Sequence, residues 1–201
     1  SGAVLGIDGY HVEIEVNLTP GVPAIDIVGL PDTAVKESID RVEAAIKNTR
    51  LEMPFKRIMI NMAPADIKKE GASFDLPIAL GILAADGIIK KDLLKTHMAL
   101  GELSLDGRIK PVRGTLSIAA MAREKGLKGM LVPSANAGEA AVVEGLNIYP
   151  VENLPMAVEF LNGNLHIAPQ QVDIRQEFMK RASYELDFTD VKGQHHVKRA
   201  L

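Results

Sequence analysis

Met98-Ala99-Leu100-Gly101-Glu102-Leu103-Ser104-Leu105-Asp106-Gly107-Arg108-Ile109-Lys110-Pro111-Val112 decides how this chain is read. Asp106-Gly107 supplies the positive φ angles of a tight turn, so residues 98–105 and 108–112 are predicted to form a β-hairpin. Downstream, Thr115–Lys125 reads as a helix closed by Gly126. Gly129–Val132 is then a strand, Ala135–Val143 a helix, Leu146–Val151 a strand, and Asn153–Leu161 a helix that stops before Gly163.

Upstream the chain opens with strands. In His11–Leu18, Val12, Ile14, Val16 and Leu18 share one face while Glu13 and Glu15 take the other, the period of a half-buried strand. Pro20-Gly21-Val22-Pro23 is a turn and Ala24–Val28 a second strand, so a hairpin is expected here too. Asp32 is placed to cap a helix in which Val35, Ile39, Val42 and Ile46 recur at helical spacing through Asn48. Arg57–Met62 reads as a strand, and Phe74–Ala85 is apolar enough for a buried helix. Helices alternating with strands after an all-strand start give an α+β or α/β domain over residues 1–163. Residues 164–186 read as a polar linker with a possible short helix, and 187–201 as the opening of something further.

Composition narrows the chemistry. Among 201 residues there is no Cys and no Trp, with three Tyr and five Phe. That excludes a disulfide scaffold, a Cys-ligated zinc and a thiol nucleophile, and it leaves little for stacking on bases. A formal net charge of −3 makes any nucleic-acid contact a matter of a local patch. The longest apolar run, Leu76–Ala85, falls short of the roughly 18 residues that span a bilayer. Ser1-Gly2-Ala3-Val4 carries no charged leader, and the expectation is a cytoplasmic protein with no membrane contact.

Ser73 is the one candidate nucleophile. It sits in Lys68-Lys69-Glu70-Gly71-Ala72-Ser73-Phe74-Asp75, where a small-residue turn enters the buried helix. Free amides at a helix start suit an oxyanion or anion, but the local pattern reads first as a helix cap. A serine also needs a base, and neither His11, His97, His166, His195 nor His196 forms a recognisable triad with it. The adjacent His195-His196 do not make a metal site, no metal ligand set is expected, and no phosphate-binding loop is present. Solvated surface is the default for the basic clusters. Arg108, Lys110 and Arg113 stand out, since the first two alternate on a hairpin strand and share a face, and Lys68 and Lys69 are separate candidates; with few aromatics, any DNA contact would rest on phosphates.

Three stretches together resemble a family. They are Gly29-Leu30-Pro31-Asp32 with Lys36-Glu37-Ser38, Asn61 through Pro77 with Lys69-Glu70-Gly71 and Ser73-Phe74-Asp75-Leu76-Pro77, and Gly101-Glu102-Leu103-Ser104-Leu105-Asp106-Gly107 with Val112 and Gly114. They are similar to the N-terminal domain of the magnesium-chelatase-like AAA+ ATPases of bacteria, the YifB/ComM family. Asp187-Phe188-Thr189-Asp190-Val191 with Gly193-Gln194 looks like the entry to an AAA+ module, so residues 187–201 are expected to open an ATPase that lies further along a longer chain.

The resemblance implies an α+β fold similar to ribosomal protein S5 domain 2 and to the Lon proteolytic domain, a mixed sheet packed with helices. In Lon-type domains the nucleophile lies in a Lys-Asp-Gly-Pro-Ser-Ala-Gly motif, on whose Ser Ser73 falls. The lysine base of that family aligns with Ile118, which takes no proton; Lys110 or Lys69 substitutes only if the fold brings it to Ser73. The resemblance therefore implies a non-catalytic accessory domain, supporting assembly of a hexameric ring and DNA engagement of the branch-migration kind associated with natural transformation. ATP and Mg are implied for the longer parent and no cofactor for this stretch. A Lon-like Ser peptidase with an unusual base and a magnesium-chelatase-type assembly module remain the alternatives.

Overall fold

The computed structural model describes residues 1–172, and residues 1–171 form one compact unit. The expected entry to an AAA+ module at 187–201 lies outside the described residues. The first half is built on strands β1 (Gly2–Leu5), β2 (Asp8–His11), β3 (Glu13–Thr19), β4 (Ala24–Val28) and β5 (Arg57–Ala63), with helices α1 (Thr33–Asn48) and α2 (Asp75–Ala85). The second half holds β6 (His97–Ala99), β7 (Glu102–Leu103), β8 (Ile109–Lys110), α3 (Thr115–Glu124), β9 (Gly129–Pro133), α4 (Ala137–Ala140), β10 (Asn147–Val151) and α5 (Leu154–Asn162).

β3 and β4 do not form the expected hairpin. β5 lies between them, antiparallel to β3 and parallel to β4. The reason is burial: Ile58, Ile60 and Met62 alternate on β5 and are the most enclosed side chains of that sheet, so the central place goes to β5. α1 is the crossover that makes the β4–β5 pair parallel. It starts as expected, with Asp32 accepting from the Val35 amide at 2.7 Å. α2 is apolar on all sides and buried along Asp75–Ala84 except at Gly81, a core helix rather than an amphipathic one.

The 98–112 stretch divides in two. His97–Ala99 joins a parallel sheet ordered β10-β9-β6, and only Glu102–Leu103 pairs with Ile109–Lys110. Ser104 N donates to the Arg108 carbonyl at 2.9 Å, so the loop is the three residues Leu105-Asp106-Gly107, and of that pair Gly107 alone has positive φ, +83°. A hairpin absent from the sequence reading, β1 with β2, packs over α3; a Cβ on Gly2 would lie 2.7 Å from Ile118 Cγ2, so any larger residue there would push the Ile118 and Met121 side chains aside. The compact unit continues past 163, since Ile167 is buried and the Gln170 amide donates to the Ile148 carbonyl at 2.7 Å.

A buried carboxylate ties the two halves. Asp75, with no exposed surface, accepts from Arg41 Nε at 2.7 Å and Nη2 at 3.1 Å and from the Leu103 amide at 3.1 Å. Bonding to Asp75 raises the Arg41 pKa further, so the guanidinium stays charged. Replacing Arg41 by Met strands that carboxylate, and a loss of about 3 kcal/mol is expected in chemical denaturation, the range for breaking one partner of a buried pair.

His97 Nδ1 lies 3.1 Å from the Leu93 carbonyl, an acceptor, so this nitrogen carries the proton. Burial, reinforced by Lys128, lowers the His97 pKa against the opposing pull of that carbonyl. A folded value below the unfolded one, about 6.5, means the contribution to stability is intact above that pH and is lost as pH falls through the interval below it. The thermal midpoint is expected to drop as pH falls below about 6.5, and His97→Gln to flatten that drop in melts followed by circular dichroism.

Candidate functional site

The turn into α2 is fixed by main-chain bonds from two directions. Lys69 N donates to the Leu30 carbonyl at 3.1 Å and Asp32 N to the Lys69 carbonyl at 3.0 Å, which clasps residues 69–71 to the segment before α1. Gly101 N donates to the Ser73 carbonyl at 3.0 Å and Leu76 N to the Gly101 carbonyl at 3.0 Å, which clasps it to the strand pair beyond β6. Ser73 is therefore positioned by its neighbours. It does not cap α2: the capping position belongs to Phe74, which makes no side-chain cap bond.

Ser73 and Ile118 face one cavity of about 330 Å3, together with Ile67, Tyr10, Val4 and Arg113. Of these two residues, Ser73 carries the hydroxyl and Ile118 is a fully apolar side chain, 1% exposed. The other candidate bases are elsewhere or spoken for. Lys69 is buried and donates to the Pro64 carbonyl, because its main-chain clasp turns the side chain inward. That burial lowers its pKa, but it does not line the cavity. Lys110 is paired with Glu102 at 3.3 Å. Lys68 does line the cavity, yet it is paired with Glu70 at 2.9 Å, and that bond raises its pKa, which keeps it protonated. His11 and His97 line a separate cavity beside Leu80 and Leu94.

The DNA-facing candidates are placed as follows. Arg108 is exposed and paired with Asp106 at 2.8 Å, and Lys110 is exposed with its Glu102 partner. Ser104 and Arg108 hydrogen bonds hold the Asp106 carboxyl below its ordinary range. Arg113 makes no ion pair among the described residues and stands at the cavity mouth. Lys69, being buried, presents no charge to a phosphate. Sequence reasoning missed Val4 and Tyr10 as cavity walls, because it placed no strand before His11; the signal was Leu5-Gly6-Ile7, a glycine turn whose Gly6 takes φ +67°. Among the described residues no three His, Asp or Glu side chains gather to hold a metal ion.

This geometry can be set beside known proteins. A family model described as subunit ChlI of Mg-chelatase matches residues 14–136. The chain belongs to this family. It is 40% identical to the competence protein ComM of Haemophilus influenzae, with all of this chain aligned to 40% of that protein. It is 36% identical to YifB of Escherichia coli, with 99% of the chain aligned to 38% of that protein. A more distant match, 27% identical, is to the Lon protease of Mycolicibacterium smegmatis, over 76% of this chain and 21% of that enzyme. The chain spans about two fifths of the length of its ComM and YifB relatives. It is a member of the magnesium-chelatase-like AAA+ group with the α+β, ribosomal protein S5 domain 2-like fold of the Lon proteolytic domain.

The β1–β2 hairpin forms one wall of the cavity only because Gly9 lets it lie on α3. A Cβ there would run into the Ser117 carbonyl and come within 3.0 Å of Ile118 Cα, both backbone. Gly9→Ala is expected to cost about 1–3 kcal/mol in denaturant unfolding, as overpacking does, and to raise hydrogen exchange in residues 2–11 above that elsewhere.

Proposed function

We propose that this domain is a non-catalytic scaffold of an AAA+ ATPase motor, supporting ring assembly and DNA engagement. The observation that carries this reading is Ile118 beside Ser73: the nucleophile position is kept and the base position is apolar. A serine hydroxyl without a base is nearly inert at neutral pH, and the lysine that shares the cavity is held protonated by Glu70. The ComM relative, named for competence, supports a DNA-processing parent and the branch-migration reading. ATP and Mg belong to the longer parent in this proposal, and a hexamer in the cytoplasm is its expected form.

DNA contact in this reading rests on phosphates. Arg108 and Lys110 must exchange Asp106 and Glu102 for phosphate oxygens, while Arg113 has no carboxylate to release among the described residues. The measurement uses the full-length protein with branched DNA at low salt. ATPase turnover is expected to rise with DNA, and binding to weaken with salt at a slope of about −0.9 per phosphate contact. Arg113→Ala is expected to weaken it most among the three. Wild type and Ser73→Ala are expected to digest an unfolded protein at equal, background rates; a faster wild type would establish the peptidase alternative, and ATPase activity indifferent to DNA would remove the DNA role.

A further inference from the structure

The Ser73 cavity has a composition that outlasts the loss of a base. Its walls are apolar at Val4, Ile67 and Ile118, and its mouth carries Arg113. The Lys68 and Glu70 charges beside it cancel in their own ion pair, so Arg113 supplies the net charge. The Ser73 and Phe74 amides at the entry to α2 donate to no group among the described residues, although the Asp75 and Leu76 amides on the same turn are used.

We propose that this cavity binds a carboxylate terminus carried on an apolar residue, with Arg113 as counter-ion, Ser73 as hydrogen-bond donor and Ile118 as part of the seat for the side chain. The volume of about 330 Å3 sits at the small end of ligand pockets, about 300–1,000 Å3, and is enough for a terminal residue. One guanidinium plus a hydroxyl matches a monoanion better than a phosphate dianion, and the planar fork of arginine pairs with carboxylate in bidentate fashion. Among the described residues Tyr10 is the one aromatic lining the cavity, and its hydroxyl donates to the Lys68 carbonyl at 3.2 Å. Burial raises the Tyr10 pKa, which keeps that hydroxyl protonated as a donor. The proposal rests on the reading that the cavity does not hydrolyse what it holds. The carboxylate has two sources, a polypeptide C-terminus or a free small acid.

The test uses the whole 201-residue chain with methyl-labelled isoleucine in NMR titrations. The probes are N-acetyl-leucine, N-acetyl-leucinamide, octanoate and an eight-residue peptide ending in leucine. N-acetyl-leucine is expected to shift the Ile118 and Ile67 methyls with a Kd on the order of 1 mM, and the amide to bind at least tenfold more weakly. Arg113→Gln, an exposed substitution whose melting curve should match wild type, is expected to lose at least tenfold, and Ser73→Ala a few-fold. Tighter binding of the peptide than of octanoate assigns the site to a chain terminus, and the reverse to a free acid; both support the carboxylate site. Equal binding of acid and amide, no effect of Arg113→Gln, or no shift with any probe overturns it. Recovery of a shortened peptide would instead overturn the non-catalytic reading, which keeps the two failures apart.

Discussion

The Asp75 carboxylate is the constraint around which this domain is arranged. It is fully enclosed, and two Arg41 nitrogens and the Leu103 amide supply the hydrogen bonds that an ion removed from water requires. Arg41 comes from α1, Asp75 opens α2, and Leu103 belongs to the short hairpin, so one group fixes three elements from distant parts of the chain. Such a pair adds little net stability compared with apolar packing, because desolvation offsets most of the attraction. What it supplies here is register. If α2 rotated, Asp75 would lose three donors together, and the main-chain bonds between Ser73, Leu76 and Gly101 would go with them.

That arrangement explains which parts of the fold could be read from sequence. α1 was legible because its cap and its apolar spacing are local, and α5 because Asn153 caps it through Met156 N and Gly163 ends it in the left-handed region. The β3–β4 hairpin was misread because adjacency in sequence favours a hairpin, while β5 has the stronger claim on the centre of the sheet. The 98–112 hairpin was overextended because Gly101 diverts the chain from the parallel sheet into the two-residue ladder, a change that periodicity does not register. Ser73 looked like a cap, yet Asp75 and the Gly101 clasp set the start of α2.

The site divides along the same line. The resemblance singled out Ser73 within a recognisable stretch and Ile118 by alignment onward from Gly101-Glu102 and Pro111, and both residues line one cavity. The walls at Val4 and Tyr10 were not legible, because they depend on a hairpin that glycines seat on α3. Charge was the least legible property. Lys69 and Arg108 look alike as basic letters, but one is buried against a carbonyl and the other reaches solvent beside Asp106. A lysine whose main chain bridges two segments has its side-chain direction set by that bridge, which no composition argument contains.

Ile118 is held in place by packing. The side chain is buried in an apolar cluster with Met98, Leu100, Met121 and Met130, and a Cβ on Gly2 would lie 2.7 Å from Ile118 Cγ2. Burying an isoleucine contributes about 2 kcal/mol, whereas an ammonium at the same depth must lose hydration or its proton. Desolvation of that kind is what tunes a lysine into a base near neutral pH, so catalysis and stability make opposite demands on this one position. The Ser73 side has no such conflict: a small hydroxyl, half-exposed and held by its own carbonyl, costs the fold nothing to keep. The asymmetry leaves a cavity with Ser73 and Arg113 on one side and, at Ile118, packing that no charged group could replace without losing its hydration.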